Sequence, residues 1–491
     1  MTLTRRDLVV RGAMASAALA AYPFEVRGAS EEPLQREGSG KQVVVLGAGL
    51  AGLSAAWELS QAGHEVTILE AQTRPGGRVK TWREPFSDGL HVDIGASEIP
   101  DNHDQVLKYV DLFGLELIPW LDASVAGKGS VLHLNGKRIR TDSGQGAPLS
   151  LTDAEREMGN MGMVVKYYHH AVKEIGDPLS AGWPPPELAR FDDLTVADLI
   201  RSKGASRDAL KALKVQFFLD LPGNGVDETS ALYLLRDSLL SPGGHQIHKL
   251  KGGMDKLPMA FAERLRENIH YGAVARRIEH GDEGVTVAYE QAGKVSRISG
   301  DHLVCTIPFS VLRFLEIEPA FSPPKQRAIQ ELAYCSNTRL FLQTDDRFWL
   351  EDGLSGFAYT DLPIKYVFDS TSDSEVGRGM LEIYTSGAEA RRFAALNDDD
   401  RFELALRDLE KVYPNIRDHF EGGAIKCWDD DRWARGAYSY FRPSQMLELL
   451  PHIAPAEGRV HFAGEHASAY PHWMQGALES GNRVAHEINE A

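Results

Sequence analysis

The sequence predicts an α/β protein, α+β over its whole length, in which a doubly wound parallel sheet is joined to a second domain of mixed sheet and helices. Three observations carry this. Residues 41–78 read as strand, glycine turn, helix, strand and acid. A second strand–loop–helix unit, Val460–Glu465 followed by His472–Gly481, stands at the far end of the chain. The 491 residues exceed what one hydrophobic core usually holds, so two domains or one large discontinuous unit are expected.

The first unit opens on Val43–Leu46, an apolar run of the kind that forms a buried parallel strand. It enters Gly47-Ala48-Gly49-Leu50-Ala51-Gly52, then an Ala/Leu-rich helix to about Ala62, stopped by Gly63. A second strand, Val66–Leu69, ends at Glu70. This is the Rossmann-type dinucleotide fingerprint in its required setting. Gly47 permits the tight turn, Gly49 leaves room for a pyrophosphate, and Gly52 lets helix and strand pack closely. The helix start offers free N–H groups and a positive dipole end to phosphates. Glu70, roughly 20 residues beyond the glycines, is placed to accept ribose hydroxyls. Arg74-Pro75-Gly76-Gly77-Arg78 adds a second glycine turn, whose two arginines suit a diphosphate approached from its other side.

Composition narrows the class. Hydrophobic residues make up 43% and charged residues 25%, an ordinary soluble balance. A net charge of −17 argues against nucleic acid and anionic membranes as partners, and mildly favours a cationic substrate. Cys305, Cys335 and Cys427 are too few and too scattered for a disulfide framework or metal site.

Taken in order, the chain begins with Thr4-Arg5-Arg6-Asp7-Leu8-Val9-Val10 and an Ala-rich stretch, which resemble a twin-arginine export signal over residues 1–35. Periplasmic or secreted localisation follows as an expectation. No later segment approaches 18 uninterrupted apolar residues, so no membrane span is expected. A helix is expected near Gln105–Phe113, and short strands and turns over 115–150. From 151 to 240 the pattern is helical, with caps at Ser150/Thr152 and Asp192/Thr195. His169-His170 and Tyr167-Tyr168 lie there; a doublet on a helix points to different faces, which argues against a metal site. Then come a helix at Pro258–Asn268, a strand pair around Ala273–Glu279 and Gly284–Tyr289, and the strand Leu303–Pro308. Strand-like runs at Arg339–Gln343, Ile364–Phe368 and Met380–Tyr384 precede a helix-rich stretch, Ala388–Val412.

GAGLAGLSAA, RPGGR, FAGE (462–465) and the closing WMQGALESG together resemble the flavin-dependent amine oxidase family, from about residue 41 to the end. That family includes monoamine oxidases, polyamine oxidases and L-amino-acid oxidases. The resemblance implies FAD, held by residues 40–110, 245–320 and 426–491, and a substrate domain of 111–244 and 321–425 with a helical insert (151–240) roofing the cavity. The implied cofactor-binding set is Gly47, Ala48, Gly49, Ala51, Gly52, Glu70, Ala71, Gly77, Arg78, Gly95, Ala96, Ser97, Val274, Gly464, Glu465, Trp473 and Met474. Glu465 would hold the ribityl or diphosphate region, and the helix opened by Met474 would turn its positive end to the flavin pyrimidine ring. Ala437 stands where monoamine oxidases carry the cysteine that bonds the flavin, so FAD is expected to be non-covalent.

Tyr438 and Trp473 match the two walls of the family's aromatic cage, which orients an amine and excludes water. Two departures stand out. Glu98 replaces an arginine that clamps the substrate carboxylate in the amino-acid oxidases, so it disfavours an α-amino acid and would attract an ammonium or guanidinium group. Phe368 falls where those enzymes place a tyrosine clamp. Arg339 replaces a lysine that holds a water beside flavin N5; Arg keeps the charge but cannot lose its proton. The implied activity is oxidation of an amine C–N bond to an imine, then aldehyde or ketone, with O2 or a periplasmic electron carrier as acceptor. Homodimers are common in the family. The alternatives are an L-amino-acid oxidase, a flavin desaturase or isomerase, and a non-catalytic FAD-binding escort protein.

Overall fold

The computed structural model describes residues 34–121, 123–125, 127–240, 246–371 and 377–491; most of the twin-arginine stretch lies outside them. Five parallel strands form the nucleotide sheet: β1 (Gln42–Leu46), β2 (Glu65–Glu70), β3 (Ile269–Tyr271), β4 (His302–Cys305) and β5 (Val460–Phe462). Their spatial order is β3-β2-β1-β4-β5, with Val43 opposite both Val66 and His302. The apolar run Val43–Leu46 is central, at most 2% exposed, because both faces of a parallel sheet are covered. Chain order reverses between β1 and β4, and open sheets of this type bind ligands in the crevice at that point. The turns after Leu46 and Cys305 meet there, where Thr306 Oγ1 donates to the Leu46 carbonyl at 2.6 Å.

Helix α1 (Leu50–Gln61) packs against the last helix, α2 (Met474–Glu490). The contact depends on small residues. A Cβ at Gly481 would lie 2.1 Å from Ser54 Oγ and 2.4 Å from the Ala51 carbonyl oxygen. One at Gly52 would lie 2.0 Å from the Gly47 carbonyl oxygen, the close approach expected of the third fingerprint glycine.

A seven-stranded mixed sheet runs in the order Phe420–Cys427, Asn337–Thr344, Gly379–Ser386, Tyr366–Asp369, Leu354–Thr360, Gly129–Leu134 and Lys137–Arg140. The helical stretch begins at Asp153–Val164, where Thr152 and Glu155 form a reciprocal capping box. Thr195 caps Val196–Ser202. Asp192, expected as a cap, instead accepts from Ser230 Oγ (2.9 Å) and Leu447 N–H (3.0 Å) inside the fold. A π turn, Val165–His169, replaces regular helix at the histidine–tyrosine doublets. The expected strand pair after residue 273 is a four-stranded sheet, because Lys294–Gly300 and Glu316–Glu318 join it. Among the described residues no helix is long and apolar enough to cross a membrane.

Candidate active site

One cavity of about 650 Å³ is walled by the fingerprint turn, the Gly77-Arg78 turn, the Gly95–Glu98 loop and the start of α2. Every site residue that the resemblance implies lines it except Ala48 and Gly52. Ala48 is fully buried and acts through its backbone: its N–H donates to Glu70 Oε2 at 2.7 Å. Gln72 N–H donates to Glu70 Oε1 at 2.7 Å, so each carboxylate oxygen keeps a lone pair for a ribose hydroxyl. Burial raises the Glu70 carboxyl, and these two bonds oppose the shift.

Around the Gly76-Gly77 turn the two arginines divide. Arg74 gives its guanidinium to the turn itself, donating to the carbonyls of Pro75 (2.9 Å) and Gly77 (2.8 Å), and does not line the cavity. Arg78 does line it, and donates to Glu465 Oε1 (2.7 Å) and the Ala437 carbonyl (3.0 Å). Glu465, expected beside the cofactor, lines the cavity and is also tied to the protein around it. Besides Arg78, its oxygens accept from Ser439 N–H (3.1 Å), Ser439 Oγ (2.8 Å) and His472 N–H (3.0 Å). Four donors use the acceptor capacity of a carboxylate. Burial raises the Glu465 carboxyl, but Arg78, His466 and these bonds outweigh it and bring it down to about 2. Glu465 is the knot that ties three cavity segments together.

The residues present fit FAD. A Cβ at Gly49 would meet nothing within 4 Å, so the turn faces open cavity. The Trp473 indole N–H is buried with no partner among the described residues. Trp473 and Met474 mark the start of α2, whose first-turn N–H groups no side chain caps.

The chemistry-bearing aromatic wall holds more than the two expected rings. His472, at φ +58°, touches both: its ring centroid lies 5.4 Å from Tyr438 and 5.3 Å from Trp473. His103 packs edge-on against Trp473 at 4.9 Å, and burial lowers its imidazole to about 3. Tyr438 Oη donates to the Leu221 carbonyl at 3.2 Å. Burial drives its phenol well above the ordinary range.

Beside this wall a chamber of about 60 Å³ is lined by Glu98, Lys249, Arg339, Phe368, Ser370 and Glu382, among others. Arg339 is not a free cation. Its Nε and Nη2 lie 2.6 Å from Glu382 Oε1, its Nη1 donates to the Gly95 carbonyl, and Ser370 Oγ donates to Glu382 Oε2. Glu98 makes no hydrogen bond or ion pair among the described residues. Burial raises its carboxyl, and the fields of Lys249 and Arg339 oppose this. Phe368 belongs to an aromatic group with Trp120, Phe357 and Phe218. His472, His103, Lys249, Trp120 and Asp237 were not singled out from the sequence. Only His472 carried a local signal, its place beside Trp473.

The profile of the family described as flavin containing amine oxidoreductase matches residues 50–489. The Bacillus subtilis (strain 168) protein named "Putative L-amino-acid oxidase YobN" is 34% identical over 464 residues, 91% of this chain and 95% of its own. The L-amino-acid oxidase of Siganus canaliculatus is 30% identical, covering 94% and 87%. Among solved structures, putrescine oxidase bound to putrescine superposes with TM-score 0.79 at 20% identity, over 92% of this chain and all of the other. Cyclohexylamine oxidase from Brevibacterium oxydans IH-35A gives 0.78 at 23%, over 92% and 99%. These two likenesses concern the fold. With its profile match over residues 50–489, the chain belongs to the flavin-containing amine oxidoreductase family.

Proposed function

We propose that this enzyme oxidises the C–N bond of a primary or secondary amine at a dissociable FAD, and that Glu98 holds a second cationic group of the substrate. Glu98 carries the reading: it stands in the cavity wall as a carboxylate with no committed partner. FAD, when bound, supplies the acceptor at N5 for the hydride that leaves the carbon next to nitrogen. The chain's own residues bind, orient and dry the site. Tyr438 and Trp473 flank the amine; Gly49, Glu70, Arg78 and the α2 start hold the cofactor. Ala437 lines the cavity with no nucleophile on its side chain, which supports non-covalent binding, testable by acid release of free FAD. Arg339, neutralised by Glu382, supports slow reaction of the reduced enzyme with O2 and an electron carrier as acceptor. Thr4–Val10 supports twin-arginine export.

One observation favours a second reading, an L-amino-acid oxidase: Lys249, a cation able to pair with a substrate carboxylate, lines the small chamber together with Glu98. The relatives at 34% and 30% identity are named for that activity. Rates with a diamine, a monoamine of equal length and an α-amino acid separate the two. The amine reading predicts that Glu98→Gln raises KM for the diamine about 10- to 100-fold, the worth of a charge-assisted hydrogen bond, and spares the monoamine. Turnover confined to α-amino acids and abolished by Lys249→Met would replace it.

A further inference from the structure

An amine is bound from water as an ammonium ion, and an ammonium nitrogen has no lone pair to assist hydride loss from its neighbouring carbon. The site therefore needs a proton acceptor beside the aromatic pair. Arg339 cannot serve, and Glu465 is saturated with donors. His472 has the position and the support. Its ring touches both Tyr438 and Trp473 and lines the cavity. Its backbone is held in the left-handed region by the Glu465 bond to its N–H.

The two ring nitrogens face different groups on the helix Ala231–Leu240. Nδ1 is 2.9 Å from Tyr233 Oη, and Nε2 is 3.3 Å from Asp237 Oδ1. Tyr233 Oη also lies 3.3 Å from the Ser439 carbonyl. When the phenol donates to that carbonyl, Nδ1–H donates to Tyr233 Oη, and this tautomer leaves Nε2 bare to accept a proton. Asp237 Oδ1 is buried and has no hydrogen-bond donor among the described residues, and Asp237 lines the same cavity. A bare imidazole nitrogen next to an unsatisfied carboxylate is a site prepared for a proton.

We propose that His472 Nε2 takes the proton from the substrate ammonium, and that Asp237 and Tyr233 position it for this task. This rests on the amine reading of the site. In the step the N–H bond of R–NH3⁺ breaks, its electron pair stays on nitrogen, and the proton forms an N–H bond at Nε2. The resulting imidazolium stands 3.3 Å from Asp237 Oδ1, whose negative charge stabilises it. No electron is exchanged and no co-reactant is needed. Other groups facing His472 are the Tyr438 phenol, the Trp473 indole and His103, whose imidazole is held neutral by burial; Arg236, next to Asp237, donates to the carbonyls of Ser468 and Ala469. Burial raises the Asp237 carboxyl, while His472 and Arg236 lower it.

The test is the pH dependence of anaerobic flavin reduction by the best amine, in wild type, His472→Gln and Asp237→Asn, with FAD content and melting temperature measured on each. In wild type the reduction rate at low substrate should rise with pH and then level off, as expected when a base on the enzyme must be unprotonated to act. His472→Gln should lower it about 100-fold or more at neutral pH, and the loss should disappear at a pH where the free amine predominates. Asp237→Asn should move the limb to lower pH, because an imidazolium without its carboxylate loses its proton more readily. A purely structural role would scale the rate equally at all pH values. An unshifted limb in FAD-loaded His472→Gln overturns the proposal and leaves the amine reading standing. Failure of any amine to reduce wild-type flavin at any pH overturns both.

Discussion

At the scale of single residues, the account turns on which charges are spent and which are free. Arg339 and Glu382 cancel each other, Arg78 and Glu465 do the same, and Glu98 is left over. Glu465→Gln tests the second pair. The change leaves a largely buried guanidinium without its countercharge, which costs about 3 kcal/mol or more. The melting temperature should fall and FAD should bind more weakly, since three wall segments lose their common partner; unchanged FAD affinity would show that Glu465 is not the knot described. The fingerprint residues were legible because a dinucleotide turn needs glycine at fixed spacing, and that need is local. Glu98 and Arg339 were legible as departures from a resemblance. What Arg339 does was not, because its partner Glu382 lies on another strand and only pairing of Asn337–Thr344 with Gly379–Ser386 brings them together. Asp237 and His472 meet for the same reason, through packing that no spacing in the sequence announces.

At the scale of elements, the two helices nearest the cofactor cradle are set by residues without side-chain bulk. Gly481→Ala would drive a methyl against Ser54 and the Ala51 carbonyl, and overpacking of this kind costs about 1–3 kcal/mol. Since α1 follows the Gly47–Gly49 turn in the cavity wall, FAD affinity should fall with stability. A calorimetric scan with and without added FAD measures both, and an unchanged melting temperature would contradict the tight α1–α2 contact. Thr152→Ala removes one half of a capping box and should cost about 1 kcal/mol, with no effect on catalysis. Strands and helices with strong periodicity were read near their observed bounds. Lys294–Gly300 was missed because it is half-exposed and polar at alternate positions, so it lacks an apolar signature. The π turn was missed because one extra residue in a helical turn leaves the composition unchanged.

At the scale of the whole molecule, the cavity exists because distant parts of the chain converge on it, and acid should loosen that convergence. Glu465 ordinarily titrates near 4.5 and is held at about 2 in the fold. A depressed carboxyl contributes stability that is present above its unfolded value and lost as pH falls through the folded one. Thermal stability of the FAD-loaded protein should therefore decline between about pH 4.5 and pH 2, and Glu465→Gln should flatten this part of the decline. Equal slopes in the two proteins would assign the acid sensitivity elsewhere. Glu155, brought to about 2 by bonds from Ser206 and Thr152 despite its burial, contributes in the same window, so the slope should be reduced and not abolished. The central claim is that the cavity lined by Tyr438, Trp473 and Glu98 takes an amine carrying a second cation and presents it to the flavin. The most direct measurement mixes the purified, FAD-loaded protein anaerobically with a panel of diamines, monoamines and amino acids, follows the flavin absorbance, and then admits air. The account predicts rapid bleaching by an amine carrying a second cation, slower or no bleaching by α-amino acids, and slow recolouring in air. Bleaching by α-amino acids alone would contradict it, and so would flavin that no amine reduces.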